Sequence, residues 1–138
     1  MNEYTFQDCK VGLKESFQYI VNEQNQKTFC NVSGDVNPLH NDDKFAQKSG
    51  RPGRVVYGML QGALYSQLVG VHLPGKYCLL QDIKISFMRP AYINDILTVV
   101  GEIVDVDERY NRVFVKAYIL NQNKKKVSRA LISVGIMK

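Results

Sequence analysis

The stretch from Gly58 to Leu73 contains no Asp, Glu, Lys or Arg, and Met59, Leu60, Ala63, Leu64, Leu68, Val69 and Val71 cover most of a helical circumference. A helix that is apolar nearly all round is a buried helix, so the rest of the chain must supply a surface that covers it. Pro74-Gly75 ends the helix after about 15 residues, or roughly 22 Å at the usual rise.

Beyond Lys76 the apolar period changes from helical to two. Ile83, Ile85 and Phe87 share one face, followed by Val113, Val115, Ala117 and Ile119, then by Ala130, Ile132, Val134 and Ile136. This pattern marks half-buried strands of a mostly antiparallel sheet. Asp107 to Asn111 and Asn121 to Lys126 read as hairpin connections between the last three strands, and Arg89 to Asp95 breaks the run before them. An opening strand is expected near Leu13 to Ile20. A short helix is expected from Glu23 to Val32, ended by Gly34, which tolerates positive φ. About five long strands must then cover one apolar helix. The economical solution is an α+β arrangement, a curved antiparallel sheet wrapped around a central apolar helix, known as the hot dog fold.

With 138 residues and no repeats or low-complexity linker, residues 1–138 are expected to form one domain. No run of 18 apolar residues and no basic-then-apolar leader is present, which points to a cytoplasmic location with no membrane association. Cys9, Cys30 and Cys78 are odd in number and widely spaced, which argues against a disulfide framework and a thiolate metal site. The net charge of +5 favours anionic partners without naming one. Its densest run, Lys124-Lys125-Lys126, sits at a hairpin tip and reads as a solvated turn. On the strand after the first hairpin, Arg112, Phe114, Lys116, Tyr118 and Leu120 form an alternate face, mixed apolar and cationic, suited to partial cover by another subunit. A homodimer or higher homo-oligomer is expected.

Only two histidines exist. His72 lies at the end of the apolar helix, where a favourable helix C-terminus explains it. His40 lies in Ser33-Gly34-Asp35-Val36-Asn37-Pro38-Leu39-His40, a segment stiffened by Pro38, which fixes its own φ and biases Asn37 towards extended geometry. Such a bend can hold the Asp35 and His40 side chains at a defined separation, as acid/base chemistry requires. An ordinary Asx turn with a packed histidine is the competing reading. A calcium loop fails, because Leu39 stands where an oxygen ligand is needed and the glycine precedes the acid. A zinc site lacks a third strong ligand, and no metal is expected.

The segment Val32 to His40 closely resembles the hydratase motif of the MaoC-like family, which includes the (R)-specific enoyl-CoA hydratases. The resemblance continues through Phe45-Ala46, Val55-Val56-Tyr57-Gly58-Met59-Leu60, Leu64-Tyr65-Ser66, Leu73-Pro74-Gly75 and Phe87-Met88-Arg89-Pro90. It implies the hot dog fold and reversible hydration of the C2=C3 bond of an enoyl thioester. It assigns Asp35 and His40 to a catalytic dyad, the Gly58 amide to binding of the thioester carbonyl, and Ser66 to a supporting polar role. Asn37 and Pro38 shape the loop. The implied partner is an acyl-CoA or acyl-carrier-protein substrate, with no separate cofactor and no nucleic acid. Arg51, Arg54, Arg89 and Lys76 are candidates for phosphate contacts. Many members carry His where this chain has Tyr57, which reads as a variation near the site entrance. Two alternatives stay open: a hot dog acyl thioesterase, and a non-catalytic acyl- or nucleic-acid-binding module.

Overall fold

Along Lys14–Ile20 (β1), exposed and half-buried side chains alternate with period two, as a strand covered on one face requires. Four further strands follow: Cys78–Phe87 (β2), Ile96–Asp107 (β3), Arg112–Leu120 (β4) and Lys126–Ile136 (β5). The structure, a computed structural model, describes residues 1–138. The strands form one sheet in the order β1-β3-β4-β5-β2, antiparallel at every pairing. The expected hairpins join β3 to β4 and β4 to β5, and β2 crosses over to the outer edge beside β5.

The first helix, Glu23–Ser33 (α1), begins at a reciprocal cap. Asn22 accepts from the Asn25 amide at 2.8 Å, and the Asn25 side chain accepts from the Asn22 amide at 3.1 Å. Gly34, at φ 70°, closes it in the left-handed conformation. Two short helices, Pro38–Asn41 (α2) and Asp43–Lys48 (α3), were not legible in the sequence. Both are too short for amphipathic periodicity, and both begin at side-chain caps: Asn37 accepts from the Leu39 amide, and Asp42 from the amides of Lys44 and Phe45.

The central helix, Gly58–Gln67 (α4), packs Leu60, Leu64 and Tyr65 against an inner sheet face built from Leu97, Val99, Ile103, Val113, Val115, Ile119, Ile132 and Val134. Tyr65 and Ser128 share a buried hydroxyl–hydroxyl hydrogen bond of 2.8 Å that pins α4 to β5. The helical path runs on to His72, as expected, but its last turn, Leu68–His72, widens to a π-helix closed by the Leu73 amide on the Leu68 carbonyl at 2.8 Å. Beneath it, Gly101 of β3 allows close approach. A Cβ there would fall 2.7 Å from Leu68 Cδ2 and 3.1 Å from Val115 Cγ1.

One expectation is corrected. The apolar helix is not buried all round, because a single five-stranded sheet covers only one of its faces. Met59 is 62% exposed, and Ala63 and Ser66, on the same stripe, are also exposed. The edge strand β2 adds exposed Leu79, Leu80 and Phe87, followed by Met88. A sizeable apolar surface is therefore left without cover by this chain.

Burial also stores a pH dependence. It pushes the Tyr65 hydroxyl up to about 12 from 10.0, and the thiols of Cys9 and Cys78 up to about 11 from 9.0. Each group holds its proton more tightly folded than unfolded, so the associated stability is complete below the ordinary values and lost as pH rises through the folded ones. The urea midpoint is expected to stay level up to about pH 9 and to fall from there towards pH 12. The Tyr65→Phe variant should show a shallower fall above pH 10.

Candidate active site

Between α1 and α2 the chain turns through a series of local side-chain bonds. Asp35 N–H donates to Ser33 Oγ at 3.1 Å, Asn37 N–H to Asp35 Oδ1 at 3.1 Å, and Leu39 N–H to Asn37 Oδ1 at 2.9 Å. Pro38 occupies the first position of α2, where its missing N–H costs nothing. This turn delivers His40 to the last turn of α2.

Two contacts hold the imidazole. His40 Nδ1 lies 2.7 Å from the Val55 carbonyl oxygen, and since a carbonyl only accepts, Nδ1 carries the proton. Nε2 is then the lone-pair nitrogen of the neutral ring; it has no protein partner and remains accessible. The ring stacks on Tyr57, with centroids 4.1 Å apart and planes 27° apart. Below, the side chain of buried Gln26 donates to the carbonyls of His40 at 3.0 Å and Val55 at 2.9 Å, tying α2 to the segment that enters α4. That segment is held on its other side by Val56 N–H donating to the Ala91 carbonyl at 2.8 Å.

Tyr57 is a correction to the sequence reading. It does not lie at an entrance: it is 2% exposed, tilts against Phe29 at 5.0 Å, donates through its hydroxyl to the Asp35 backbone carbonyl, and accepts from Asn41 Nδ2 at 3.0 Å. Burial first, then the neighbouring Cys30 thiol, raises its hydroxyl above the ordinary range, so it stays a neutral donor. Tyr57 thus supports the His40 ring on its face and the Asp35 backbone on its hydroxyl.

A cavity of about 250 Å³ opens here, with His40, Val56, Gly58, Gln61, Phe87 and Arg89 in its wall. The Gly58 amide, at the start of α4, has no acceptor in the protein, as befits the first N–H of a helix. Phe87 lies over it: a Cβ on Gly58 would sit 3.3 Å from the ring. His40 and Gly58 are therefore brought together. Asp35 is anchored beside them through Tyr57, but its carboxylate is exposed, makes no hydrogen bond to His40 and is not part of this wall. Ser66, eight residues beyond Gly58, is exposed and outside the cavity.

Of the four cations singled out for phosphate, Arg54 is engaged with Glu23 and with Asp43, the latter at 3.2 Å, and Lys76 with Glu3 at 3.0 Å. Arg51 is exposed, and Arg89 alone among the four reaches the cavity wall, with Nη1 on the Lys126 carbonyl at 2.9 Å. His72 stacks on Phe17 at 4.7 Å, away from the site. No group of three or more His, Cys, Asp or Glu side chains gathers in a metal-binding arrangement. No helix is long and apolar enough to cross a membrane. Four larger depressions, of about 570 Å³ beside Cys9, about 490 Å³ on the outer sheet face, about 410 Å³ along α1 and about 310 Å³ beside Arg54, hold no histidine.

The architecture is the hot dog fold, with a tautomer-locked imidazole and a helix-terminal amide opening on one cavity. The chain belongs to the MaoC-like family, whose domain matches residues 7–124. It is 32% identical over 109 residues to the mitochondrial 3-hydroxyacyl-[acyl-carrier-protein] dehydratase of Arabidopsis thaliana, covering 78% of this chain and 63% of that protein. It is 32% identical over 102 residues to the (R)-specific enoyl-CoA hydratase of Aeromonas caviae, covering 74% of this chain and 76% of that one. Against a 3-hydroxybutyryl-CoA dehydratase of Methylorubrum extorquens the match spans 64% of the relative's length, so the chain spans under two thirds of some of these relatives. Among solved structures, the unliganded R-hydratase PhaJ1 of Pseudomonas aeruginosa superposes with a TM-score of 0.91 at 30% identity, covering 96% of this chain and 84% of that one. The (R)-hydratase of A. caviae gives 0.91 at 28%, covering 94% and 98%.

Gln26 and Gln61 went unrecognised as parts of the site, and Tyr57 was placed only at its entrance. A Gln on a polar helix such as α1 carries no sign that it will be buried. Gln26→Leu should strip a donor from each of two carbonyls and cost about 1–3 kcal/mol in urea unfolding. Tyr57→Phe, which keeps the stack but loses both hydroxyl bonds, should cost about 1 kcal/mol.

Proposed function

We propose that this chain is a hydratase/dehydratase that adds water to, or removes it from, the C2=C3 bond of an enoyl thioester carried by coenzyme A or an acyl-carrier protein. The observation that carries the reading is the His40 tautomer: Nδ1–H is committed to the Val55 carbonyl, and the basic Nε2 is left accessible in the wall of the cavity that also holds the bare Gly58 amide. The names of the A. caviae and A. thaliana relatives support the same reaction class.

In the hydration direction, His40 Nε2, with Asp35, takes a proton from water as its oxygen bonds to C3. The π electrons move towards the thioester carbonyl, charge gathers on that oxygen, and they return as a C2–H bond forms with a proton passed on by Asp35. The Gly58 N–H, at the positive end of α4, stabilises the oxygen most when it is most negative, which accelerates the reaction rather than merely tightening binding. Asn37 and Pro38 set the turn that presents the dyad, and Ser66 lends polar support from the helix. No separate cofactor is needed for this chemistry. The net charge of +5 suits an anionic carrier.

The working form is a homodimer or higher homo-oligomer. In support of this, Met59 and Ala63 on α4 and Leu79, Leu80 and Phe87 on the β2 edge are apolar and uncovered, so a second copy can bury them and enclose Ser66 beside them. Sedimentation at micromolar concentration is expected to give at least a dimer, and a strict monomer would contradict it.

Incubation with crotonyl-CoA is expected to bleach the conjugated absorbance without release of free thiol; thiol release would identify a thioesterase instead. His40→Ala and Asp35→Asn are each expected to lower kcat by about 100- to 10,000-fold with the fold intact. Full activity in either variant would remove the dyad.

A further inference from the structure

Gln61 lies one helical turn after Gly58, on the same side of α4, and is 3% exposed. Its neighbours on the buried face, Leu60, Leu64 and Tyr65, belong to the core, where a leucine or methionine would pack without cost. Instead the chain places a primary amide there and leaves it without protein partners. Oε1 is fully buried and accepts no hydrogen bond; Nε2 donates none, yet stays accessible, and the residue lines the cavity with Gly58 and His40. An unpaired buried amide costs stability, and a ligand that completes it is one physical reason for such a group to be kept in a cavity wall.

We propose that Gln61 is a further catalytic residue, whose Nε2–H is a second donor to the thioester oxygen beside the Gly58 amide. The inference rests on the hydratase reading above. With Oε1 held in the apolar wall, the NH₂ end is the part of the amide left to meet a ligand, so the ligand atom must be an acceptor. In an enoyl thioester bound with its carbonyl on Gly58, the acceptor one helical turn from Gln61 is that same oxygen, whose two lone pairs can take two donors. The pair then forms a two-donor hole that strengthens as the enolate-like charge develops.

The test uses the full chain as wild type, Gln61→Met and Gln61→Glu, assayed for crotonyl-CoA hydration and for binding of butyryl-CoA against S-butyl-CoA, which lacks the carbonyl. Both variants are expected to lower kcat, Gln61→Met by on the order of 100-fold with little change in KM. The wild-type preference for butyryl-CoA over S-butyl-CoA should shrink in Gln61→Met. Its Tm should hold or rise, since an apolar side chain of similar length removes an unsatisfied group. Wild-type hydration with an unchanged kcat and an unchanged ligand preference in Gln61→Met overturns this inference alone, as does a lowered Tm with kcat intact. A wild type that leaves enoyl thioesters unhydrated overturns the hydratase reading, and this one with it.

Discussion

The Val55 carbonyl is the point on which the site depends. It accepts from His40 Nδ1 at 2.7 Å and from Gln26 Nε2 at 2.9 Å, so one oxygen joins α1, the turn carrying the histidine and the segment entering α4. The arrangement does two things together. It holds three separately folded pieces of backbone in one relation, and it decides which imidazole nitrogen keeps a lone pair. Tyr57 reinforces both from below, stacking on the ring and bonding to the Asp35 carbonyl. The residues of the candidate chemistry therefore sit on a cross-braced loop, and their placement follows from backbone carbonyls that any substitution at Val55 would keep.

The rest of the fold can be understood as what keeps that loop beside the N-terminus of an apolar helix. The sheet buries one face of α4, Gly101 lets the helix path lie close, and the Tyr65–Ser128 pair fixes its rotation against β5. Rotation matters because it decides where Gly58 and Gln61 point. The same geometry leaves Met59, Ala63 and Ser66 uncovered, since a five-stranded sheet can wrap only one side of a helix. The packed core and the uncovered apolar face thus follow from one shape rather than from separate features.

Much of this was legible from residue patterns, because period and punctuation are local. The strands followed from alternation in Val113 to Ile119 and Ala130 to Ile136, α1 from its Gly34 stop, and the bend around Pro38 from the ring's fixed φ. What stayed hidden was long-range. Whether Gln26 and Gln61 point outwards or into the core depends on partners 14 to 29 residues away in one case and on helix rotation in the other. Tyr57 was misread for the same reason: a sequence shows that a position has changed its residue, but not that the new ring has two hydrogen bonds and a stacking partner. The uncovered face of α4 escaped notice because apolar periodicity reports that a surface wants cover, without saying whose.

The most direct measurement is the tautomeric state of His40, read from long-range ¹H–¹⁵N correlations of the imidazole rings in uniformly ¹⁵N-labelled protein near pH 8, with His40→Ala to assign the two histidines. A predominant Nδ1–H tautomer with Nε2 unprotonated is the predicted result. An Nε2–H ring, or the averaged shifts of a freely solvated histidine, would contradict the central role of the Val55 carbonyl.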